Sequence, residues 1–193
     1  MARKSARRLW TDALASGSLA LHKAKNIPMA RLRGCEGIII GIDPSLRGTG
    51  IAILESRENR INFIFSKRLS LAPRFSFDGC LGKIFKEIDE AITKYCPDYA
   101  AMEETIFVQN YKIAQTLGSV RGTIIAALMG RGIEICEYPP LRIKQAVTGI
   151  GRASKEQVME TIKNLLNIDR EISTDESDAV AVACCHTWTF TSQ

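Results

Sequence analysis

Histidine is nearly missing from this 193-residue chain, which has only His22 and His186. That scarcity argues against a His-rich metal site and against a Ser-His-Asp relay, so any chemistry has to rest mostly on carboxylates. Paired cysteine spacing is missing too. The six cysteines, Cys35, Cys80, Cys96, Cys136, Cys184 and Cys185, include no C-x-x-C pair, and the adjacent Cys184 and Cys185 are poorly placed to bridge each other. Most sit in apolar runs, where a free thiol behaves as a small hydrophobe, which points to a reducing compartment and away from structural zinc. Hydrophobic residues make up 46% of the chain, enough for a full core, yet no segment approaches the roughly 20 continuous apolar residues of a membrane span. No membrane partner is expected. Internal repeats and low-complexity tracts are absent, and the length suits one domain with at most an appendage.

Acids are almost absent from the first 34 residues. Eight Lys/Arg (Arg3, Lys4, Arg7, Arg8, Lys23, Lys25, Arg31, Arg33) stand against Asp12 alone, a charge of +7. The whole chain carries +5, so the remainder carries −2. Residues 1–34 therefore read as a basic N-terminal extension, with the globular part in 35–193. The extension is a mitochondrial or plastid targeting sequence, an arm that touches nucleic acid, or a solvated tail with no specific task.

What is present begins at Ile38-Ile39-Ile40-Gly41-Ile42-Asp43. Four isoleucines in five residues predict a strand buried on both faces, with Asp43 at its end. Pro44 to Gly50 reads as a tight turn, and Ile51 to Leu54 as the returning strand. A carboxylate held at such a strand end suits a metal or phosphate site; Asp also caps turns. Arg60 to Leu69 predicts a third strand. Phe77 to Tyr95 has helical spacing, with Leu81, Ile84, Phe85, Ile88, Ile92 and Tyr95 on one face. Tyr99 to Glu103 predicts a strand that finishes in acids.

Tyr111 to Met129 predicts an apolar helix in which Ala114, Gly118, Gly122 and Ala126 line up four apart. Each interior glycine costs about 1 kcal/mol relative to alanine. A helix packed close against that stripe would explain the cost. On the residues alone an internal partner is slightly favoured over a second subunit. Ile133 to Tyr138 predicts a strand, and 141–148 a short helix broken by Gly149-Ile150-Gly151. Ser154 to Leu166 is a helix opened by a Ser154-x-x-Gln157 capping box, and Thr174 to His186 a last helix opened by Ser173-x-x-Glu176. The element order is that of an α/β layered domain with a mixed sheet.

The acids cluster at three places: Asp43, then Glu103 with Glu104, then Asp175, Glu176 and Asp178. Acids in a first helical turn complement the helix dipole. Here, however, the uniformly small, apolar Ala179 to Ala183 follow, so the helix is buried and its acidic start faces the sheet. Several carboxylates brought together need a cation between them. Hard ions such as Mg²⁺ take such ligands, and a pair about 4 Å apart serves phosphodiester hydrolysis. A basic group, Arg142, Lys144, Arg152 and Lys155, spans the Gly149-Ile150-Gly151 turn. It is either a phosphate-binding surface or an ordinary solvated one.

Three stretches together resemble the RuvC-type Holliday-junction resolvases of the RNase H-like (retroviral integrase) superfamily. They are Gly41-Ile42-Asp43-Pro44-Ser45 with Gly48-Thr49-Gly50, Pro97-Asp98-Tyr99-Ala100-Ala101-Met102-Glu103-Glu104, and Asp175-Glu176-Ser177-Asp178-Ala179-Val180-Ala181. Gly118 to Gly122 and Lys144 to Gly151 also look like that family, and the likeness runs in order from about Gly37 to His186. The resemblance implies an α/β, RNase H-like three-layer fold with a five-stranded mixed sheet flanked by helices. It implies a structure-selective endodeoxyribonuclease that resolves four-way DNA junctions by paired symmetric nicks in recombination and repair. It also implies a homodimer with the small-residue helix at or near its interface, and branch-migration proteins of the RuvA/RuvB type as partners.

The family's four acids fall on Asp43, Glu103, Asp175 and Asp178. They would bind Mg²⁺, with Mn²⁺ substituting, two ions per site. Asp43 would be shared, Glu103 and Asp178 would complete the separate ion sites, and Asp175, a position that is His in some relatives, would help position an ion or water. The DNA-contacting lysines fall on Lys144 and Lys155, and Phe107 is the candidate for stacking at the junction centre. A bacterial cytoplasmic location is implied, or an organellar one if the arm is a transit peptide. Two other functions remain open: an actin-like ATP-binding protein, for which one domain without a repeat is short, and an RNase H-like nuclease acting on RNA or another branched substrate. A catalytically inactive DNA-binding module would not need all four acids.

Overall fold

The structure is a computed structural model that describes residues 35–58, 60–105 and 110–190. The basic extension and Phe107 lie outside the described residues. The strands are β1 (Gly37–Asp43), β2 (Gly48–Arg57), β3 (Arg60–Ser70), β4 (Tyr99–Glu103) and β5 (Glu134–Tyr138). The helices are α1 (Phe77–Tyr95), α2 (Tyr111–Met129), α3 (Pro140–Thr148), α4 (Lys155–Leu166) and α5 (Thr174–Thr189). One five-stranded sheet runs in the order β3-β2-β1-β4-β5. The first three strands form an antiparallel meander, and β1, β4 and β5 are parallel.

The isoleucine run puts β1 at the centre, because alternate side chains feed two cores. Ile39, Leu54 and Ala101 pack on one face against α3, α4 and α5. Ile40, Ile42, Ile51, Ile53 and Met102 pack on the other against α1 and α2. A strand so enclosed needs apolar side chains on both faces. Each fully buried Ile or Leu contributes about 1.5–3 kcal/mol.

The Gly48-Thr49-Gly50 segment corrects the expectation. The turn consists of residues 44–47 only, and Gly48 to Gly50 already belong to β2 with no positive φ among them. Their glycines give clearance for a helix. A Cβ on Gly50 would stand 1.9 Å from the Asp175 carbonyl oxygen, and one on Gly41 would stand 2.1 Å from that of Ala179. Helix α5 thus lies directly on the backbones of β1 and β2, which its run of small, buried residues from Ala179 to Ala183 also permits.

Helix α1 starts at Ser76, whose side chain accepts from Gly79 N, and ends at Cys96 in the left-handed region (φ 47°). It buries Cys80, Ile84, Ile88, Ala91 and Ile92, whereas Phe85, expected inside, is 45% exposed. Helix α2 buries Val120, Ile124, Ala127 and Leu128. Its small-residue stripe lies elsewhere: Gly118, Gly122 and Ala126 are exposed, and a Cβ on either glycine would meet nothing within 4 Å. Among the described residues no helix covers the stripe, so the expected internal partner is not found there. Helix α5 also runs one turn beyond the predicted His186, to Thr189. Among the described residues no helix is long and apolar enough to cross a membrane.

Candidate active site

The parallel pairing of β1 with β4, Ile42 opposite Met102, brings the strand-end acids Asp43 and Glu103 side by side. The antiparallel pairing places Asp43 opposite Gly50, the residue over which the first turn of α5 sits. That turn presents Asp175 and, three residues on, Asp178. Four carboxylates from three distant stretches therefore meet at one end of the sheet.

Electrostatics records the meeting. Burial pushes the Asp43 carboxyl up from 3.8 to about 7, and the charges of Asp178, Asp175 and Glu103 push the same way, with Lys155 opposing. Glu103 is likewise raised, by burial and then Asp178, with Lys155 and Lys144 opposing. Two cations hold the α5 acids: Lys155 Nζ is 2.6 Å from Asp178 Oδ2, and Arg68 Nε is 2.5 Å from Asp175 Oδ2. The hydrogen bond to Asp178, with neighbouring acids, raises the Lys155 ammonium. No three His, Cys, Asp or Glu groups among the described residues gather as tightly as ligands of one ion do.

The supporting contacts explain why these acids and not their neighbours converge. Glu104 is exposed, whereas Glu103 is half-buried at the strand end. Glu176 turns away from the other acids. Its carboxylate accepts from Ser173 N (2.9 Å), Ser66 Oγ (2.9 Å) and Arg170 Nη2 (2.8 Å), and these bonds hold it below the usual carboxylate range against the cost of burial. The capping box and this clasp fix the start of α5 to β3. Arg121 donates to the Glu103 carbonyl (2.8 Å) and to Glu137 (2.5 Å), pinning the end of β4. Arg47 donates to the carbonyls of Ala72 (2.6 Å) and Phe75 (3.0 Å), pinning the β1–β2 turn.

Of the four basic candidates, Lys155 and Lys144 act on the acids. Arg142 lies two residues from Lys144, so it occupies the other side of α3. Its guanidinium is 5.8 Å from the Tyr138 ring centroid. Arg152 is exposed in the loop between α3 and α4. Neither arginine contributes to the shifts of Asp43 or Glu103. The supporting arginines had one visible signal: Arg121 is the sole charge between Ile113 and Met129. Arg47, Arg68 and Arg170 had none, since their partners are set by tertiary contacts.

The family model for crossover junction endodeoxyribonuclease RuvC matches residues 39–186. This chain belongs to the RuvC family. Two relatives bearing that name, from Cupriavidus pinatubonensis and Citrifermentans bemidjiense, are 40% identical over 148 and 149 residues. Each match spans 77% of this chain and 82% or 91% of the relative. The structure of Thermus thermophilus RuvC in complex with Holliday junction substrate superposes with a TM-score of 0.74 at 23% identity, over 79% of this chain and 94% of that one. The fold is therefore the RNase H-like fold of the RuvC resolvases. The matched segment contains all four converging acids and both lysines.

Proposed function

We propose that this chain is a crossover junction endodeoxyribonuclease, resolving four-way DNA junctions by metal-dependent phosphodiester hydrolysis. The observation that carries the reading is the convergence of Asp43, Glu103, Asp175 and Asp178, with Lys144 and Lys155 beside them, inside a segment of RuvC sequence. The Cupriavidus and Citrifermentans relatives carry the endonuclease name, and the Thermus relative was captured with a junction.

The donor set fits a hard divalent ion. It is all oxygen, and burial, with the repulsion of the neighbouring acids added to it, raises the Asp43 carboxyl. Asp43, Glu103, Asp175 and Asp178 would hold Mg²⁺, two ions per site, with Mn²⁺ substituting. The ions supply Lewis acidity and charge neutralisation. The chain supplies the rest. Rigid strand ends fix Asp43 and Glu103, the capped start of α5 fixes Asp175 and Asp178, and Lys144 and Lys155 draw phosphates to the acids. Lys155, paired with Asp178 here, would be free to meet a phosphate where an ion held that carboxylate.

Paired nicks need two sites, and a homodimer supplies them. Support comes from the stripe of α2, uncovered among the described residues, and from Gly82 of α1, where a Cβ would also meet open space, with Phe85 and Met129 exposed. Small residues there let a second copy approach closely. Residues 1–34 are proposed as a separate basic extension to the nuclease domain.

The test is cleavage of a synthetic four-way junction with Mg²⁺, beside linear duplex and RNA–DNA hybrid. Asp43→Asn and Asp178→Asn each abolish junction cleavage and keep junction binding. Preferred cleavage of the hybrid would overturn the substrate, and equal loss of binding would make the acids structural. Deleting residues 1–34 without effect would remove the DNA-arm reading.

A further inference from the structure

Four arginines brace the elements that carry the acids, and they are held in two ways. Arg47 and Arg121 donate to main-chain carbonyls, as described above. Arg170 donates to the carbonyls of Glu171 (3.0 Å) and Ser66 (2.9 Å) as well as to Glu176. Such arginines are parts of the framework. Arg68, on β3, is different. Its side chain is 47% exposed and meets Asp175 through Nε, and among the described residues it donates to no main-chain oxygen.

The pair lies across a residue that leaves room for it. A Cβ on Gly48 would stand 2.9 Å from Asp175 Oδ2 and 3.0 Å from Arg68 Nη2. Arg68 reaches the acids from the β3 side of the sheet, and Lys155 reaches them from α4. The group of acids is thus bracketed by two of the chain's own cations. A half-exposed pair of this kind changes an equilibrium by about fivefold at most, so a competing ion displaces it readily.

We propose that Arg68 is an exchangeable counter-ion, neutralising Asp175 while the acids hold no metal and turning to a junction phosphate when a divalent ion takes that carboxylate. The proposal rests on the nuclease reading above. It gives Asp175 a resident cation and adds a phosphate contact on the side of the site opposite Lys144 and Lys155.

The test uses the full-length chain with Arg68→Ala, Arg68→Lys and Asp43→Asn. Mn²⁺ binding without DNA is followed by the electron paramagnetic resonance of the free ion. Junction binding is followed against salt, once with EDTA and once with Ca²⁺. Arg68→Ala binds Mn²⁺ about two- to fivefold tighter, since its competitor is gone. Its salt slope falls by about 0.9 with Ca²⁺, the loss of one phosphate contact, and is unchanged in EDTA. Arg68→Lys keeps the wild-type slope, which shows that the loss in alanine is one of charge and not of folding. Unchanged or weaker Mn²⁺ binding by Arg68→Ala, or an unchanged slope with Ca²⁺, overturns the proposal and leaves Arg68 a structural clasp. Asp43→Asn separates the two levels. If it loses Mn²⁺ while Arg68→Ala behaves as wild type, Arg68 alone was misread; if it binds Mn²⁺ like wild type, the metal-site reading falls and the proposal with it.

Discussion

Replacing Asp43 by Asn should make the metal-free protein more stable while it abolishes cleavage. The Asp43 carboxyl is raised from 3.8 to about 7 by burial and by three acidic neighbours. The folded state therefore binds its proton more tightly than the unfolded state, and ionisation works against folding. Stability is fully present below about pH 4 and is lost as pH rises towards 7. At about 1.4 kcal/mol per pH unit, the shift costs up to about 4 kcal/mol at pH 8. Asn keeps the shape and removes the charge. For a domain of this size each kcal/mol moves Tm by about 2–4 °C, so Asp43→Asn gains roughly 8–15 °C at pH 8 in EDTA. The gain shrinks towards zero at pH 4. Mg²⁺ stabilises the wild type by mass action and leaves the variant unmoved, so the gap narrows with added metal. Thermal melts over pH 4–8, with and without Mg²⁺, check this. A variant that melts at or below the wild-type temperature at pH 8 in EDTA would refute the reasoning, because burial and the neighbouring acids would then not be opposing the Asp43 charge.

Three further outcomes follow from the same geometry. His186 is buried, its Nδ1 lies 2.9 Å from the Tyr138 hydroxyl, and burial pushes it down from 6.5 to about 4. The unfolded state takes that proton first, so about 3 kcal/mol is lost between pH 6.5 and 4. In the wild type this loss is offset by Asp43, and it emerges as a steep acid limb in Asp43→Asn melts. Gly50→Ala drives a methyl into the Asp175 carbonyl, which stands 1.9 Å from the Cβ position. It should destabilise by about 1–3 kcal/mol and cut cleavage more than junction binding, by lifting Asp175 and Asp178 off the site. Gly118→Glu points into open space, so it leaves the fold of the protomer intact, which its far-ultraviolet circular dichroism checks. In light scattering it shifts the proposed dimer to monomer; an unaltered dimer would move the interface elsewhere.

Much of this protein is written locally. The isoleucine run specifies a central strand because β-branched residues without polar partners must be enclosed on both faces. The Ser-x-x-Gln and Ser-x-x-Glu boxes fix two helix starts to the residue, because cap bonds close within four positions. The residues alone show three clusters of acids, and the family resemblance is what points to Asp43, Glu103, Asp175 and Asp178 among them. Other features depend on surfaces that no local pattern encodes. Gly48 and Gly50 read as a turn, yet they clear the way for a helix more than a hundred residues later. Phe85 shares a helical face with Ile84 and Ile88 but lies at its edge, where the sheet no longer covers it. Glu176, beside Asp175 in sequence, is claimed by Arg170 and Ser66, while Asp175 is claimed by Arg68. The sequence by itself determined which side chains are available for chemistry and which elements carry them. Only the tertiary structure decided which acid faces the others, which cation holds it and which glycine stripe stays bare, because ion pairs and clearances are set by the separation of atoms that only packing brings together.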